Sequence, residues 1–283
     1  MSNDQAPTAL ILGGTGRTGS LLAGKLARRG IAARTASRRG ADVRFDWDDP
    51  ATHADAVAGV DRLYLVTPVL RVRYAQQVAD FLDLAETAGL RHVTFLSAYN
   101  ADQAPEGIDI AAVEADLAGR PAITHSVLRP AWVMQNFTDD HLPVIDGVLT
   151  VPSGGGAEAF VDADDVAAAA AETLADPAAH AGAQYALTGP QALTFRETAD
   201  IISDVAGQPV FYNDIDQEEW ISGALAAGVA PDYAVMLRWL TGAIIAGHGS
   251  TPADDIEKVT GRPPTTFRAF AERNARAWTR EAR

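Results

Sequence analysis

The amino-acid sequence predicts an α/β protein with a doubly wound parallel sheet. Short apolar runs, suited to buried strands, alternate with amphipathic segments along the first half of the chain. The links between them are short, which favours right-handed crossovers between parallel strands. A glycine-rich turn stands between the first apolar run and the first helical segment.

This turn follows the apolar run Thr8–Leu12 and carries glycines at intervals of three residues, Gly13, Gly16 and Gly19. A segment of helical periodicity comes next and is ended by Gly30. Strand, glycine turn and helix in this order are typical of a dinucleotide site, because the glycines let the backbone approach a pyrophosphate at the helix N-terminus. The sequence therefore predicts nucleotide binding on a Rossmann fold.

Charge is distributed unevenly along the chain. The net charge of -14 argues against nucleic acid as a partner, since phosphate contacts need a basic surface. Between Gln5 and Ala41, however, there are seven basic residues and no acidic one. A phosphate-rich ligand at the glycine turn would explain this window, whereas part of it also fits a solvated basic helix face.

The second predicted strand, Ile31–Ala36, ends just before Ser37, Arg38 and Arg39. Arg38 lies 22 residues after Gly16, where NAD-binding folds place a carboxylate for the ribose 2′-hydroxyl and an arginine accommodates a 2′-phosphate. With no carboxylate available, the sequence favours NADP(H). Arg39 either shares the role of Arg38 or faces solvent.

The next elements continue the alternation. Asp46 follows the third strand and either reaches the adenine or caps the next helix. Because ligands of parallel sheets lie beyond the carboxyl ends of the strands, we expect one crevice lined by residues 13–19, Thr67, Ser97 and residues 129–137. The remaining predicted strands are Val43–Phe45, Leu63–Val66, Val93–Leu96 and Ile123–Leu128, with helices over 50–59, Tyr74–Ala88 and Ile110–Leu117.

After Val151 the regular alternation of strand and helix ends, and helical segments predominate. Glycines at 154–156 predict a flexible turn, and Thr194 with Glu197 predicts a capping box that opens a helix. A strand over Gln184–Thr188 is predicted to join the main sheet. We expect a Rossmann core over residues 1–150 and a smaller, mostly helical substrate lobe over 151–283. Its further predicted elements are the strand Val210–Asn213 and helices over Val166–Leu174, Glu218–Ala227, Pro231–Ala246, Ala253–Val259 and Phe267–Trp278.

Several classes of protein and site are disfavoured. The chain has no cysteine, and its six histidines lack metal-ligand spacing, so neither a disulfide nor a metal site is expected. No apolar run approaches the roughly 18 residues of a membrane span. The lead Met1–Pro7 has no basic region, so it predicts a short disordered segment rather than a signal peptide. We expect a soluble cytoplasmic protein, and the sequence leaves its oligomeric state open, a homodimer included.

Five phrases together resemble the NmrA-like, atypical short-chain dehydrogenase/reductases, in the branch of NAD(P)H:quinone oxidoreductase type 2 and the festuclavine synthases. The resemblance covers nearly the whole chain. It implies a Rossmann core, bound NADP(H) and a substrate pocket between the core and the C-terminal lobe. The phrases are GGTGRTG at 13–19, FDWDDP at 45–50, LRPAWVMQNF at 128–137, YALTGP at 185–190 and TGRPPTTF at 260–267.

Ordinary short-chain dehydrogenases use a Tyr-x-x-x-Lys pair, which this chain lacks. Its only lysines are Lys25 and Lys258, preceded at the fourth position by Leu21 and Asp254. Two functions remain open. One is reduction of an acceptor that needs no strong enzymic acid, such as a quinone, an activated alkene, a carbonyl or an iminium. The other is a non-catalytic NADP(H) sensor that a partner protein reads.

The catalytic candidates are Tyr99 and Ser97, each placed to donate a proton or a hydrogen bond to a small-molecule substrate. The alternatives are an aromatic pocket wall for Tyr99, a cofactor contact for Ser97 and core packing for Trp132. The predicted cofactor contacts are Gly13, Thr15, Gly16, Arg17, Thr18, Gly19, Ser37, Arg38, Asp46, Trp47, Thr67, Pro68 and Ser97. The predicted substrate-pocket residues are Tyr99, Trp132, Asn136, Phe137, Trp239 and His248.

Overall fold

A computed structural model describes residues 7–139 and 141–279. Residues 1–6 of the expected N-terminal lead lie outside the described residues. The strands are β1 (Thr8–Leu12), β2 (Ala32–Ser37), β3 (Val43–Arg44), β4 (Arg62–Leu65), β5 (His92–Leu96), β6 (Thr124–Pro130), β7 (Val144–Ile145), β8 (Val148–Thr150), β9 (Ala157–Glu158), β10 (Gln184–Leu187), β11 (Leu193–Thr194) and β12 (Phe211–Asn213). The helices are α1 (Gly19–Ala27), α2 (His53–Val57), α3 (Ala75–Thr87), α4 (Ile110–Ala118), α5 (Ala163–Ala175), α6 (Pro177–His180), α7 (Phe195–Ala206), α8 (Gln217–Ala226), α9 (Pro231–Ile245), α10 (Asp255–Thr260) and α11 (Phe267–Arg273).

Within the described residues, seven strands form one sheet in the order β10-β6-β5-β4-β1-β2-β3. The pairings of β1 with β2 and β4, of β2 with β3, and of β5 with β4 and β6 are parallel. The strand order reverses between β1 and β4, which makes the sheet doubly wound and confirms the predicted fold class. Residues 9–12 of β1 are at most 1% exposed, because a central parallel strand is covered on both faces.

The chain divides into two compact units. The first unit comprises Met1–Arg129 and Val166–Tyr185, and the second comprises Pro130–Asp165 and Ala186–Arg283. Residues 166–185 therefore belong with the first unit although they follow part of the second in sequence. The roles expected for residues 1–150 and 151–283 stay predictions.

The second unit contains small sheets as well as the expected helices. β11 pairs with β9 antiparallel, and β12, β8 and β7 form a three-stranded sheet. β12 lies within the predicted strand Val210–Asn213, whereas β7, β8, β9 and β11 have two or three residues each, too few to show the alternation by which a strand is predicted. The core of the unit is aromatic and includes Phe137, Phe160, Phe195, Phe267 and Phe270.

Local signals explain several element boundaries. The capping box at α7 is confirmed, since the Thr194 hydroxyl accepts from the Glu197 amide and the Glu197 carboxylate accepts from the Thr194 amide. The turn at 153–156 is anchored rather than free, because the Asp214 carboxylate accepts from the amides of Ser153 and Gly154, both at 3.0 Å. No helix in the described ranges combines the length and the apolar character that a membrane span requires.

Candidate functional site

At three of its glycines, the turn after β1 has a backbone conformation or a close packing that a larger residue would disturb. Gly13 has a φ of +65°, and its carbonyl accepts from the Gly16 amide at 2.8 Å. A Cβ on Gly19 would overlap the Gly13 carbonyl oxygen, and one on Gly14 would lie 2.6 Å from Thr35 Cβ. Gly13, Gly14 and Gly19 therefore shape the turn itself.

Gly16 has a different role in the same turn. It is exposed, and a Cβ there would meet only the Gly13 carbonyl oxygen, at 3.1 Å. The protein would tolerate a side chain at Gly16 with a small shift. Its open face lies on the cleft that the turn borders, so glycine here keeps room for a ligand.

A cleft of about 1050 Å³ opens beside this turn at the carboxyl ends of β1, β2 and β4. Of the predicted cofactor contacts, Arg17, Thr18, Gly19, Pro68 and Ser97 are not on its wall. The cleft also contains residues that the sequence did not single out, among them Arg44, Val66, Val69 and Arg71. The predicted contacts that do line it are Gly13, Thr15, Gly16, Ser37, Arg38, Asp46, Trp47 and Thr67.

Four arginines line the cleft, and they differ in whether they form an ion pair with a carboxylate. Arg44 lies 3.1 Å from a carboxylate oxygen of Asp49, and Arg71 lies 2.5 Å from one of Asp48. Arg38 and Arg39 are exposed and make no hydrogen bond or ion pair with any part of the chain that the structure describes. These two guanidinium groups are thus available to an anionic ligand.

Polar contacts at the end of β2 fix the backbone of the loop that carries Arg38 and Arg39. The amide and hydroxyl of Thr15 both donate to the Ser37 hydroxyl, at 3.2 and 3.1 Å, which ties the glycine turn to β2. The Asp42 carboxylate accepts from the amide and hydroxyl of Thr35, both at 2.8 Å, and closes the loop that carries Arg38 and Arg39. The bond from the Thr35 amide is the main reason that the pKa of Asp42 is lowered.

Asp46 and Trp47 form one end of the cleft. The Asp46 carboxylate accepts from the Asp48 amide at 3.1 Å, in the turn before the helical segment. It therefore does not cap the helix, and an adenine contact stays a prediction. The Trp47 ring packs edge-on against Phe45 and Phe81, with ring centroids 5.0 and 5.4 Å apart.

Thr18 and Ser97 do not line this cleft, and their hydroxyls bond within the protein, so their cofactor contacts stay predictions. The Thr18 hydroxyl accepts from the fully buried Tyr64 at 2.9 Å, so it anchors the start of α1. Ser97 is 6% exposed and donates to the Glu114 carboxylate at 2.5 Å. Arg129 binds both oxygens of Glu114, at 3.0 and 2.5 Å, and this bonding raises the pKa of Arg129.

The hydrogen bond to the buried Glu114 fixes the direction of the Ser97 hydroxyl proton. Glu114 is 8% exposed on α4, and its carboxylate takes the hydrogen of the serine hydroxyl. Ser97 can accept a further hydrogen bond through its oxygen, but its proton is directed inward.

We expect Ser97→Ala to reduce kcat/KM for any acceptor by less than about tenfold, because the hydroxyl donates to Glu114 and supplies no proton. Steady-state kinetics would measure this, with Ser97→Thr as the control that keeps the hydroxyl. A general acid typically contributes about a hundredfold to ten-thousandfold, and a loss of that size would restore Ser97 as the proton donor.

The predicted substrate residues are divided between the two units and are described for each unit separately. In the first unit, Tyr99 is partly buried in the turn after β5, next to Asn100 at a φ of +58°. In the second unit, Trp239 is partly buried on α9 and His248 is exposed. Phe137 is 1% exposed and packed among aromatic rings, so its ring has the environment of a core residue.

One segment of the second unit connects two groups of predicted pocket residues. The Val161 amide donates to the Trp132 carbonyl at 3.0 Å, and the Ala159 amide donates to the Gly249 carbonyl at 3.0 Å. Residues 157–161 therefore run between the segment that starts at Trp132 and the one that contains His248. Asn136, in the first of these segments, is 9% exposed.

A doubly wound parallel sheet whose glycine turn borders an arginine-lined cleft defines a dinucleotide-binding protein of the Rossmann class. The chain belongs to the NmrA-like family, whose family model matches residues 5–240.

The similarity to known proteins extends over nearly the entire chain. An uncharacterized oxidoreductase of Bacillus subtilis, YesF, is 36% identical over 279 residues, which are 95% of this chain and 96% of YesF. The NAD(P)H azoreductase of Xenophilus azovorans is 30% identical over 285 residues, 95% of this chain and 98% of the azoreductase. The crystal structure of Citrobacter sp. triphenylmethane reductase complexed with NADP(H) is similar with a TM-score of 0.75, at 25% identity, covering 95% of this chain and 99% of that one.

Proposed function

We propose that the protein is an NADP(H)-dependent reductase of small organic acceptors. The observation that carries this proposal is that two arginines without an ion-pair partner, Arg38 and Arg39, lie beside the glycine turn. They line a cleft large enough for a dinucleotide. Relatives named as reductases, the azoreductase and the triphenylmethane reductase, support the same activity.

The residues of the cleft fit an NADP(H) molecule. Gly16 leaves open space where a pyrophosphate would approach the N-terminus of α1, and Arg38 and Arg39 present positive charge for a 2′-phosphate. Thr15 and Ser37 connect the glycine turn to the end of β2, so the backbone around the proposed phosphate sites is connected by hydrogen bonds. When bound, NADPH supplies the hydride.

The acceptor class follows from the groups that the protein does not offer. The chain has no Tyr-x-x-x-Lys pair, and Ser97 directs its proton to Glu114. The lack of these groups favours acceptors that need no strong enzymic acid, such as quinones, activated alkenes and iminium ions, with Tyr99 as the remaining candidate donor. The protein then orients the acceptor for hydride transfer.

A panel of acceptors tests this proposal. We expect the protein to consume NADPH with at least one quinone, enone, azo dye or iminium salt. The absorbance of the reduced nicotinamide measures this consumption. Gly16→Val serves as the control that keeps the fold and lacks the cofactor. Tight NADPH binding without turnover across the panel would instead favour an NADP(H) sensor that acts through a partner protein.

A further inference from the structure

Glu158 on β9 is a buried carboxyl group with no partner. It is 3% exposed, and it makes no hydrogen bond or ion pair within residues 7–139 and 141–279. Gly249 lies so close that a Cβ there would overlap both carboxyl oxygens. Isolated buried carboxylates are unfavourable, so a position of this kind marks a candidate functional site.

The Glu158 oxygens are not completely closed off from solvent. In the described part of the chain, every side-chain oxygen or nitrogen that is fully removed from solvent has a hydrogen-bond partner. Because the Glu158 carboxyl makes no hydrogen bond, its oxygens must each keep a small area in contact with solvent. A ligand group that reaches these oxygens would meet a carboxyl already stripped of most of its water.

The surroundings of Glu158 offer no compensating charge. β11 places Leu193 opposite it, and the segment Gly247–Ser250 covers it, with His248 as the titratable group of that segment. Burial is the one cause that shifts its titration, and it raises the pKa of Glu158 to about 7. The residues after it, 159–161, lead directly to Trp132.

We propose that Glu158 recognises the positive charge of a cationic acceptor, such as an iminium ion or a delocalised aromatic cation. An ionised carboxylate in this apolar position needs a cation, and the described chain provides none. The proposal rests on the reductase function above, whose acceptor class includes iminium ions. At about pH 8, where Glu158 is ionised, a neutral acceptor such as a quinone has no positive charge that would gain from it.

The test compares Glu158→Gln, which keeps the shape and removes the charge, with Glu257→Gln, an exposed carboxylate on α10. At about pH 8, we expect the Kd of a triphenylmethane cation, measured by absorbance titration, to rise about tenfold to a hundredfold in Glu158→Gln. KM for that cation should rise similarly, while KM for a neutral quinone stays within about twofold. Glu257→Gln should change none of these values.

The pH dependence supplies a second readout. Glu158 is protonated below its pKa and ionised above it, so wild-type affinity for the cation should rise between about pH 6 and about pH 8. Glu158→Gln should show no such rise. His248 lies beside Gly249, which contacts Glu158, so His248→Gln is included as a control and is expected to keep the dependence.

The outcomes separate this inference from the proposed function. If the wild-type protein turns over neither acceptor, the reductase function fails, and the binding titration still decides the role of Glu158. Equal losses for the cation and the quinone in Glu158→Gln would show a structural role and overturn the inference. Unchanged cation affinity in Glu158→Gln would overturn it as well. Thermal unfolding checks the fold, and Glu158→Gln should be at least as stable as the wild type at about pH 8, where the ionised carboxyl is unfavourable.

Discussion

Gly16→Val is expected to weaken NADPH binding at least about a hundredfold, equivalent to about 3 kcal/mol, while the protein stays folded. The side chain would extend into the cleft from an exposed position whose nearest protein atom is the Gly13 carbonyl oxygen, 3.1 Å from the added Cβ. The ligand therefore meets the obstruction and the fold does not. Fluorescence titration with NADPH measures the binding, and thermal unfolding measures the stability.

Two further glycines make this prediction specific. Gly19→Ala should lower the unfolding temperature as well as the affinity, because its Cβ would overlap the backbone at Gly13. Gly24→Ala, in the middle of α1, meets only the end of Arg28 at 3.9 Å and should stabilise the protein by about 0.5–1 kcal/mol. If Gly16→Val binds NADPH as the wild type does, the glycine turn is not the phosphate site.

Arg38→Ala is expected to weaken NADPH binding by about tenfold to a hundredfold and to leave NADH binding unchanged, since charge-assisted hydrogen bonds contribute about 1.5–3 kcal/mol. The reason is that Arg38 lines the cleft without a carboxylate partner, so its guanidinium is available to a 2′-phosphate. The ratio of the two dissociation constants is the quantity to measure, at fixed ionic strength because salt screens the interaction.

The neighbouring arginines act as matched controls for Arg38. Arg44→Ala removes a charge from the same cleft, but Arg44 already pairs with Asp49, so it should change the ratio less. Arg39→Ala, alone and with Arg38→Ala, measures whether the two arginines share the phosphate. A loss for NADPH and NADH of equal size in Arg38→Ala would assign Arg38 to a part of the site common to both cofactors.

The parts of the fold that could be predicted depend on neighbours in sequence. The glycine turn needs a particular backbone conformation and close packing within a few residues, so its pattern is visible at Gly13, Gly16 and Gly19. The capping box at Thr194 and Glu197 is equally local. The central strands β1, β4 and β5 are marked by largely apolar runs, because most of their residues are buried.

The parts that sequence reasoning missed depend on residues far apart in the chain. Ser97 was expected to face a ligand, and its bond to Glu114, 17 residues later, is set by the packing of α4 against the sheet. Glu158 had no motif around it, and its environment is created by Gly249, more than ninety residues away. The strands β7, β8, β9 and β11 of the second unit were not predicted, and each is defined by its pairing with a partner strand.

The sequence by itself therefore determined the doubly wound sheet, the position of the glycine turn and the preference for NADP(H), because each is encoded by residue types at short and regular spacing. The tertiary structure alone decided which arginines stay unpaired in the cleft, where the Ser97 proton points and which carboxyl is buried without a partner. These properties are sums over neighbours brought together by packing, and hydrogen bonding, burial and ion pairing change with each such neighbour.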